Sequence, residues 1–132
     1  MANGKVVQVI GTVVDVEFAS DDLPEIYNGL ELDLNGEKLS LEVEQHVGNN
    51  WVRCLALGQT EGLKRGAEVT DTGRAIAVPV GPATLGRLFN VTGEALDTLG
   101  AVDAADHWPI HRAAPSFDRQ TGTTEILETG IM

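Results

Sequence analysis

Turn-forming residues recur along the first part of this chain at the spacing of short strands. Asp21-Asp22 with Pro24, Asn35-Gly36, Gly48-Asn49-Asn50, the stretch from 58 to 66 and Asp71-Thr72-Gly73 punctuate the sequence. Their spacing of about 8–12 residues is that of small all-β domains. The segments between them are rich in β-branched and aliphatic residues and alternate with period two. In residues 6–18, Val14, Val16 and Phe18 face one way, and Asp15 and Glu17 face the other. Gly11 interrupts that run where a small barrel needs a bulge or a bend. Residues 30–34 form a second strand, and Asn35-Gly36 is a strong two-residue hairpin signal. The return strand turns Leu39, Leu41 and Val43 inward and Ser40, Glu42 and Glu44 outward, which makes Glu42 and Glu44 a solvated face. Residues 51–57 follow as a strand. A short strand at Val69 and another over 75–80 are separated by Asp71-Thr72-Gly73. The expected fold is mainly β: a small closed six-stranded barrel over residues 1–80.

The pattern changes at Gly81-Pro82. Leu85, Leu88 and Phe89 fall at i, i+3 and i+4, with Pro82 at a tolerant first position and Gly93 available as a cap. The spacing predicts a short helix over 83–90, although Gly86 lies inside it. Beyond Gly93 periodicity fades, and Gly100, Pro109, Pro115 and Gly122 break the chain into extended loops. A stretch this long without a face of its own needs something to pack against. Residues 81–132 therefore read as an incomplete α/β segment, the opening of a domain that these residues do not finish.

Charge narrows the partners. The chain carries 20 acidic and 9 basic residues, a formal net charge of −11, and only 5% aromatics. Such a chain is poorly suited to holding a phosphate backbone, and it has few stacking platforms for bases, so no nucleic acid is expected. No apolar run approaches the ~20 residues that cross a bilayer, so no direct membrane insertion is expected. The N-terminus, Met1-Ala2-Asn3-Gly4-Lys5, carries neither a signal-like apolar region nor an Arg-rich transit stretch. Together with a single cysteine, this points to a reducing, cytoplasm-like compartment.

The search for chemistry returns no catalytic, cofactor-binding or metal-ligating residue. Cys54, set among Val52, Leu55, Ala56 and Leu57, reads as a buried, inert thiol. His107 and His111 are four apart, but Pro109 between them breaks the helix on which that spacing would hold zinc, so both read as loop histidines. His46 lies alone near a turn. Asp21 and Asp22 lie in turn-like sequence, without a setting for acid–base work. Asn90-Val91-Thr92 is a formal sequon without a secretory context. A phosphate cradle needs Gly-x-x-x-x-Gly-Lys-Ser/Thr. The nearest basic glycine loop, Gly62-Leu63-Lys64-Arg65-Gly66, has the wrong spacing and no hydroxyl after the lysine. It reads as a turn with exposed charges. Arg87, Arg112 and Arg119 are scattered.

A resemblance runs the whole length of the chain, in order. Gly4-Lys5-Val6-Val7-Gln8-Val9-Ile10-Gly11-Thr12-Val13-Val14-Asp15-Val16 resembles the opening of the catalytic beta subunits of F-type ATP synthases. So do Thr60-Glu61-Gly62-Leu63-Lys64-Arg65-Gly66, Val78-Pro79-Val80-Gly81 and Leu85-Gly86-Arg87-Leu88-Phe89-Asn90-Val91. The most discriminating stretch is Trp108-Pro109-Ile110-His111-Arg112-Ala113-Ala114-Pro115-Ser116-Phe117, followed by Glu125-Ile126-Leu127-Glu128-Thr129-Gly130-Ile131.

This resemblance implies an N-terminal barrel that joins alpha subunits in an alternating hexameric ring around a central rotor stalk. It implies that residue 81 begins the nucleotide-binding domain. Mg-ATP and ADP would be bound only by later parts of such a subunit, where the P-loop and the catalytic carboxylate lie, so no position here inherits those roles. The segment would be structural, within an enzyme that makes ATP from ADP and phosphate using an ion gradient. The implied location is the cytoplasmic face of a bacterial inner membrane, held peripherally. The family usually has a lysine after Thr-Gly-Ile, and Met132 stands in that place. Two other readings share some of these features. One is the barrel segment of an alpha subunit, a flagellar-type export ATPase or an archaeal-type rotary ATPase. The other is a free-standing ligand-binding barrel.

Overall fold

The structure, a computed structural model, describes residues 2–130. Ile131, the last residue of the Glu125-to-Ile131 stretch, and Met132 lie outside the described residues.

Six antiparallel strands close into a barrel: β1 (Asn3–Ile10), β2 (Val13–Glu17), β3 (Asn28–Leu34), β4 (Glu37–Gly48), β5 (Trp51–Ala56) and β6 (Glu68–Ala75). Their order around the wall is β1-β2-β5-β4-β3-β6, and β6 pairs back onto β1 through Asn3↔Thr70 and Gly4↔Val69. Closure removes the open sheet edges that would otherwise invite foreign strands.

The alternation predicted from sequence becomes the core. Inward rows run Val9–Val14–Cys54–Val43 and Val6–Val16–Val52 across the ladders. Leu30, Leu41, Leu32, Leu39 and Val69 fill the other half, and the buried Asp71 stands opposite Leu30. Gly4 is required where β1 crosses β2, because a Cβ there would meet Val16 Cγ1 and Phe18 Cζ at 2.8 Å. Two hairpins turn as their sequences demand. Asn35 and Gly36 have φ of 58° and 87°, and Asn49 and Asn50 have φ of 52° and 62°. These are the paired left-handed residues that match the twist of a two-residue hairpin.

Three of the strand expectations change. Residues 6–18 are not one strand bent at Gly11. Gly11, at φ 59°, turns the run back on itself, so β1 and β2 are a hairpin. The bulge lies instead between Val6 and Gln8. A straight strand of that length would overshoot a wall whose other strands are mostly five to eight residues long. Asp71-Thr72-Gly73 does not end a strand. β6 runs through it with a shift in register against β3, and the Asp71 carboxylate accepts hydrogen bonds from Gly73 N and Asn28 Nδ2 at 2.9 and 3.3 Å. Residues 75–80 leave the barrel. There β7 (Ala77–Val80) pairs with β8 (Asp106–Pro109), a strand the fading periodicity did not reveal.

The helix expected over 83–90 contracts to a 3₁₀ turn at Pro82–Thr84. Leu85 is already extended and Gly86 takes φ 72°, so the helical path cannot continue. Leu85 and Leu88 are consequently exposed. Residues 87–100 are instead organised by side chains. Arg87 grips the Asp97 carboxylate with Nε and Nη2, and its Nη2 also donates to the Gly100 carbonyl at 2.6 Å. From residue 103 onward most side chains are exposed, including Phe117, Ile126 and Leu127. Among the described residues no helix is long and apolar enough to cross a membrane.

Candidate assembly surface

One outward row crosses four of the barrel ladders: Ile10, Val13, Leu55, Glu42 and Gly29 stand directly opposite one another. Its two ends have different fates. Ile10 is 60% exposed and Leu55 37% exposed, so β1, β2 and β5 present aliphatic surface to solvent. At the other end the segment after the barrel covers the wall. Gly29 sits under Ile76, where a Cβ would meet Ile76 Cγ1 at 2.9 Å, and Glu42 is only 4% exposed beneath His111.

The apolar end is framed by polar contacts. The Asp15 carboxylate, beside the row, accepts hydrogen bonds from Arg53 Nε at 2.9 Å and Nη2 at 3.0 Å. Thr60 Oγ1 donates to the Gly11 carbonyl at 2.7 Å, which pins the loop after β5 against the first hairpin. Lys64 and Arg65 project from that loop, and Gly66 N donates to the Val6 carbonyl. The Gly62–Gly66 loop is thus a tied turn with exposed charges.

At the covered end, His111 Nε2 lies 2.9 Å from Glu42 Oε1, and the His111 ring stacks on Tyr27 with centroids 4.2 Å apart. Tyr27 holds φ 71°, a conformation bulky residues rarely adopt. Its amide donates to the Val43 carbonyl at 2.7 Å. Burial pushes the Glu42 carboxyl above its usual value, with His111 pulling it back and Glu44 adding to the rise. Glu42 is therefore not part of a solvated face, as the alternation suggested. Its side chain does point away from the core, but the returning chain covers it.

The other residues singled out from sequence do not converge. His107 lines a cleft of about 310 Å³ between β3, β4, β6 and the following segment, where Lys38 and Arg74 are balanced by Glu31 and Glu94. His46 Nε2 contacts the Pro24 carbonyl at 2.7 Å. Arg112 lies over the Trp108 ring at 3.6 Å, a cation–π contact. Arg119 lies in a 3₁₀ turn at Phe117–Arg119, and Asp21 and Asp22 are exposed. Cys54 is buried in the barrel, and burial pushes its thiol up to about 12. Among the described residues no group of three or more His, Cys, Asp or Glu side chains is placed to hold a metal ion. Sequence reasoning missed Asp15, Glu42 and Asp71 as buried polar groups. Only the Asp15–Arg53 pair carried a signal, since two strand residues of opposite charge can face each other.

The fold is a closed antiparallel six-stranded barrel with a partly apolar outer wall and a chain that folds back over its far side. The model of the ATP synthase alpha/beta family, beta-barrel domain, matches residues 6–73. The chain belongs to that family, whose members are ATPases and ATP synthases.

Proposed function

We propose that this chain is the N-terminal part of the catalytic beta subunit of an F-type ATP synthase, and that its barrel is an assembly element. The Ile10–Val13–Leu55 row on a closed wall, with Ile10 and Leu55 exposed and Val13 half-buried between them, carries this reading. A closed barrel has no edge strand to extend, so neighbours must pack against its outer face, where exposed aliphatics gain most from being covered. The partner is the alpha subunit in an alternating ring around the central rotor stalk. Residues 108–117, from Trp108 to Phe117, favour the beta subunit over other ring ATPases. Residues from 81 onward open the nucleotide-binding domain, and their exposed Leu85, Leu88 and Leu99 suit packing by further chain. The parent enzyme makes ATP from ADP and phosphate using an ion gradient, at the cytoplasmic face of the inner membrane. Mg-ATP binding belongs to residues other than these.

Co-expression with a matching alpha subunit, followed by size-exclusion chromatography, tests the assembly role. A mixed complex that Ile10→Glu or Leu55→Glu abolishes, with far-UV circular dichroism unchanged, is the expected result. Failure of the native pair to associate at high concentration would remove the ring role from this segment.

A further inference from the structure

The sequence contains three Asn-Gly pairs, Asn3-Gly4, Asn28-Gly29 and Asn35-Gly36. In such a pair the glycine amide nitrogen can attack the asparagine side-chain carbonyl carbon, because no glycine side chain crowds the ring that forms. By sequence the three are equivalent. The barrel makes them unequal. We propose that Asn35 is the site at which the folded chain deamidates spontaneously, giving aspartate and isoaspartate in the β3–β4 turn, while Asn3 and Asn28 are protected.

Gly4 and Gly29 are buried in the barrel wall. Gly4 stands opposite Val69, and a Cβ there would meet Val16 and Phe18 at 2.8 Å and the Glu17 carbonyl at 2.9 Å. Gly29 stands opposite Glu42, with Ile76 at 2.9 Å from the same position. Neither peptide group has room to swing towards the preceding side chain while the ladders are intact. Their asparagines are also held. Asn28 Nδ2 donates to Asp71 at 3.3 Å, and Thr70 Oγ1 donates to Asn3 Oδ1 at 3.4 Å.

Asn35 and Gly36 are both exposed, beyond the last strand pair, Leu34↔Glu37. The space at the Gly36 Cβ position is open. Among the described residues the Asn35 side chain makes no hydrogen bond, and its Nδ2 faces Gly62. The Gly36 amide is tied by one exposed bond, donated to Asp33 Oδ1 at 3.0 Å. Asn35 and Gly36 hold φ of 58° and 87°, a conformation that favours the asparagine little. Leaving it releases one exposed bond and no core contact. Tip opening of this kind lies at the low end of local free energies, whereas freeing Gly4 or Gly29 requires opening the barrel.

The step balances with water alone. The Gly36 N–H proton passes to water, and the nitrogen bonds to Asn35 Cγ. The Cγ–Nδ2 bond breaks, and Nδ2 takes up a proton and leaves as ammonia. A five-membered imide remains, closed between Asn35 Cγ and the Asn35 main-chain carbonyl carbon. Water then adds to one of these carbonyls and the bond from that carbon to Gly36 N breaks. Addition at Cγ gives aspartate, and addition at the main-chain carbon gives isoaspartate, through which the main chain now runs by way of the side chain. One water beyond the proton carrier enters, one ammonia leaves, and nothing is oxidised or reduced.

Both products place a new carboxylate between the exposed Asp33 and Glu37. Aspartate tolerates left-handed backbone and keeps the turn. Isoaspartate lengthens the main chain by one carbon inside a two-residue turn, the feature that fixes the Asp33↔Lys38 and Leu32↔Leu39 register. The modification thus acts on the one hairpin whose register is set by its turn and whose next pair lies in the core.

The full chain, held at pH 8 both folded and in guanidinium chloride, tests this by proteolysis and mass spectrometry with fragmentation to locate each converted asparagine. In denaturant the three sites are expected to convert at comparable rates. In the folded chain Asn35 is expected to convert at least about tenfold faster than Asn3 and Asn28. A folded chain in which Asn35 converts no faster than the other two would overturn the proposal. Ion-exchange chromatography of the intact chain gives a second reading. Asn35→Gln, which closes such a ring far more slowly, is expected to lose most of the acidic form that accumulates in the native chain. Accumulation at an unchanged rate in Asn35→Gln would equally overturn it.

Discussion

Asp15 and Arg53 face each other across the β2–β5 ladder and are joined by two parallel hydrogen bonds of 2.9 and 3.0 Å, although the aspartate is almost wholly buried and the arginine side chain is 45% exposed. The arginine acts as a lid that lets a carboxylate survive in the barrel wall. Arg53→Met keeps the aliphatic stem but strands the charge, and is expected to lower the urea midpoint markedly. Asp15→Asn combined with Arg53→Met should recover much of the loss, because the lone buried charge is the main cost. A double variant as unstable as the sum of the two singles would contradict this.

The core is expected to tolerate little truncation. Leu41 is fully buried among barrel side chains, and Leu41→Ala should cost about 2–5 kcal/mol in urea denaturation. Leu85→Ala, at a side chain 72% exposed, should change stability by less than about 0.5 kcal/mol.

Two glycines should fail for different reasons. Gly36 has open space at its Cβ position but φ 87°, so Gly36→Val is expected to destabilise the β3–β4 hairpin by about 1–2 kcal/mol, and Gly36→Asn by less. Gly4 lacks a left-handed φ but is crowded by Phe18, Val16 and the Glu17 carbonyl, so Gly4→Ala and Gly4→Asn should both be damaging. Thermal melts of the four variants separate backbone strain from steric exclusion.

Cys54 should resist alkylation in the native chain at pH 8 and react only on global opening, because its thiol is pushed up to about 12 by burial, with Asp15 and Glu44 adding to the rise. The stabilising contribution is complete below about pH 9, the unfolded thiol's value, and is lost as pH climbs towards about 12. Iodoacetamide labelling in graded urea should track the unfolding curve, and rapid labelling without urea would show that the barrel opens locally.

Asp97 should keep residues 87–100 organised in acid. The Arg87 hydrogen bonds, helped by the Leu99 and Leu88 amides, hold its carboxyl well below the usual carboxylate range. A lowered value stabilises the folded loop above the ordinary carboxylate range, and the contribution is lost only as pH falls through the folded value. The Leu88 and Leu99 amide signals should therefore stay in place at pH 3. Asp97→Asn should displace them at neutral pH.

The barrel was legible in the sequence because its information is local. Period-two alternation placed Leu39, Leu41 and Val43 inside, and Asn35-Gly36 set a hairpin that needs left-handed backbone at both positions. Those signals act over a few residues, so a linear reading captures them. The run around Gly11 was ambiguous for the same local reason. Glycine serves a bulge and a hairpin equally, and only the height of the closed wall selected the hairpin. The helix expected over 83–90 rested on Leu85, Leu88 and Phe89, but helical spacing stabilises only when the face finds a surface to bury it, and here Leu85 and Leu88 point to solvent. Which outward residues stay wet depends on contacts distant in sequence. Glu42 and Glu44 share one alternation pattern, yet the chain folds back over the first and leaves the second exposed. Sequence decided which way each barrel side chain points. The tertiary structure decided which of the outward ones are covered, because that depends on residues 76 and 111 arriving from outside the barrel.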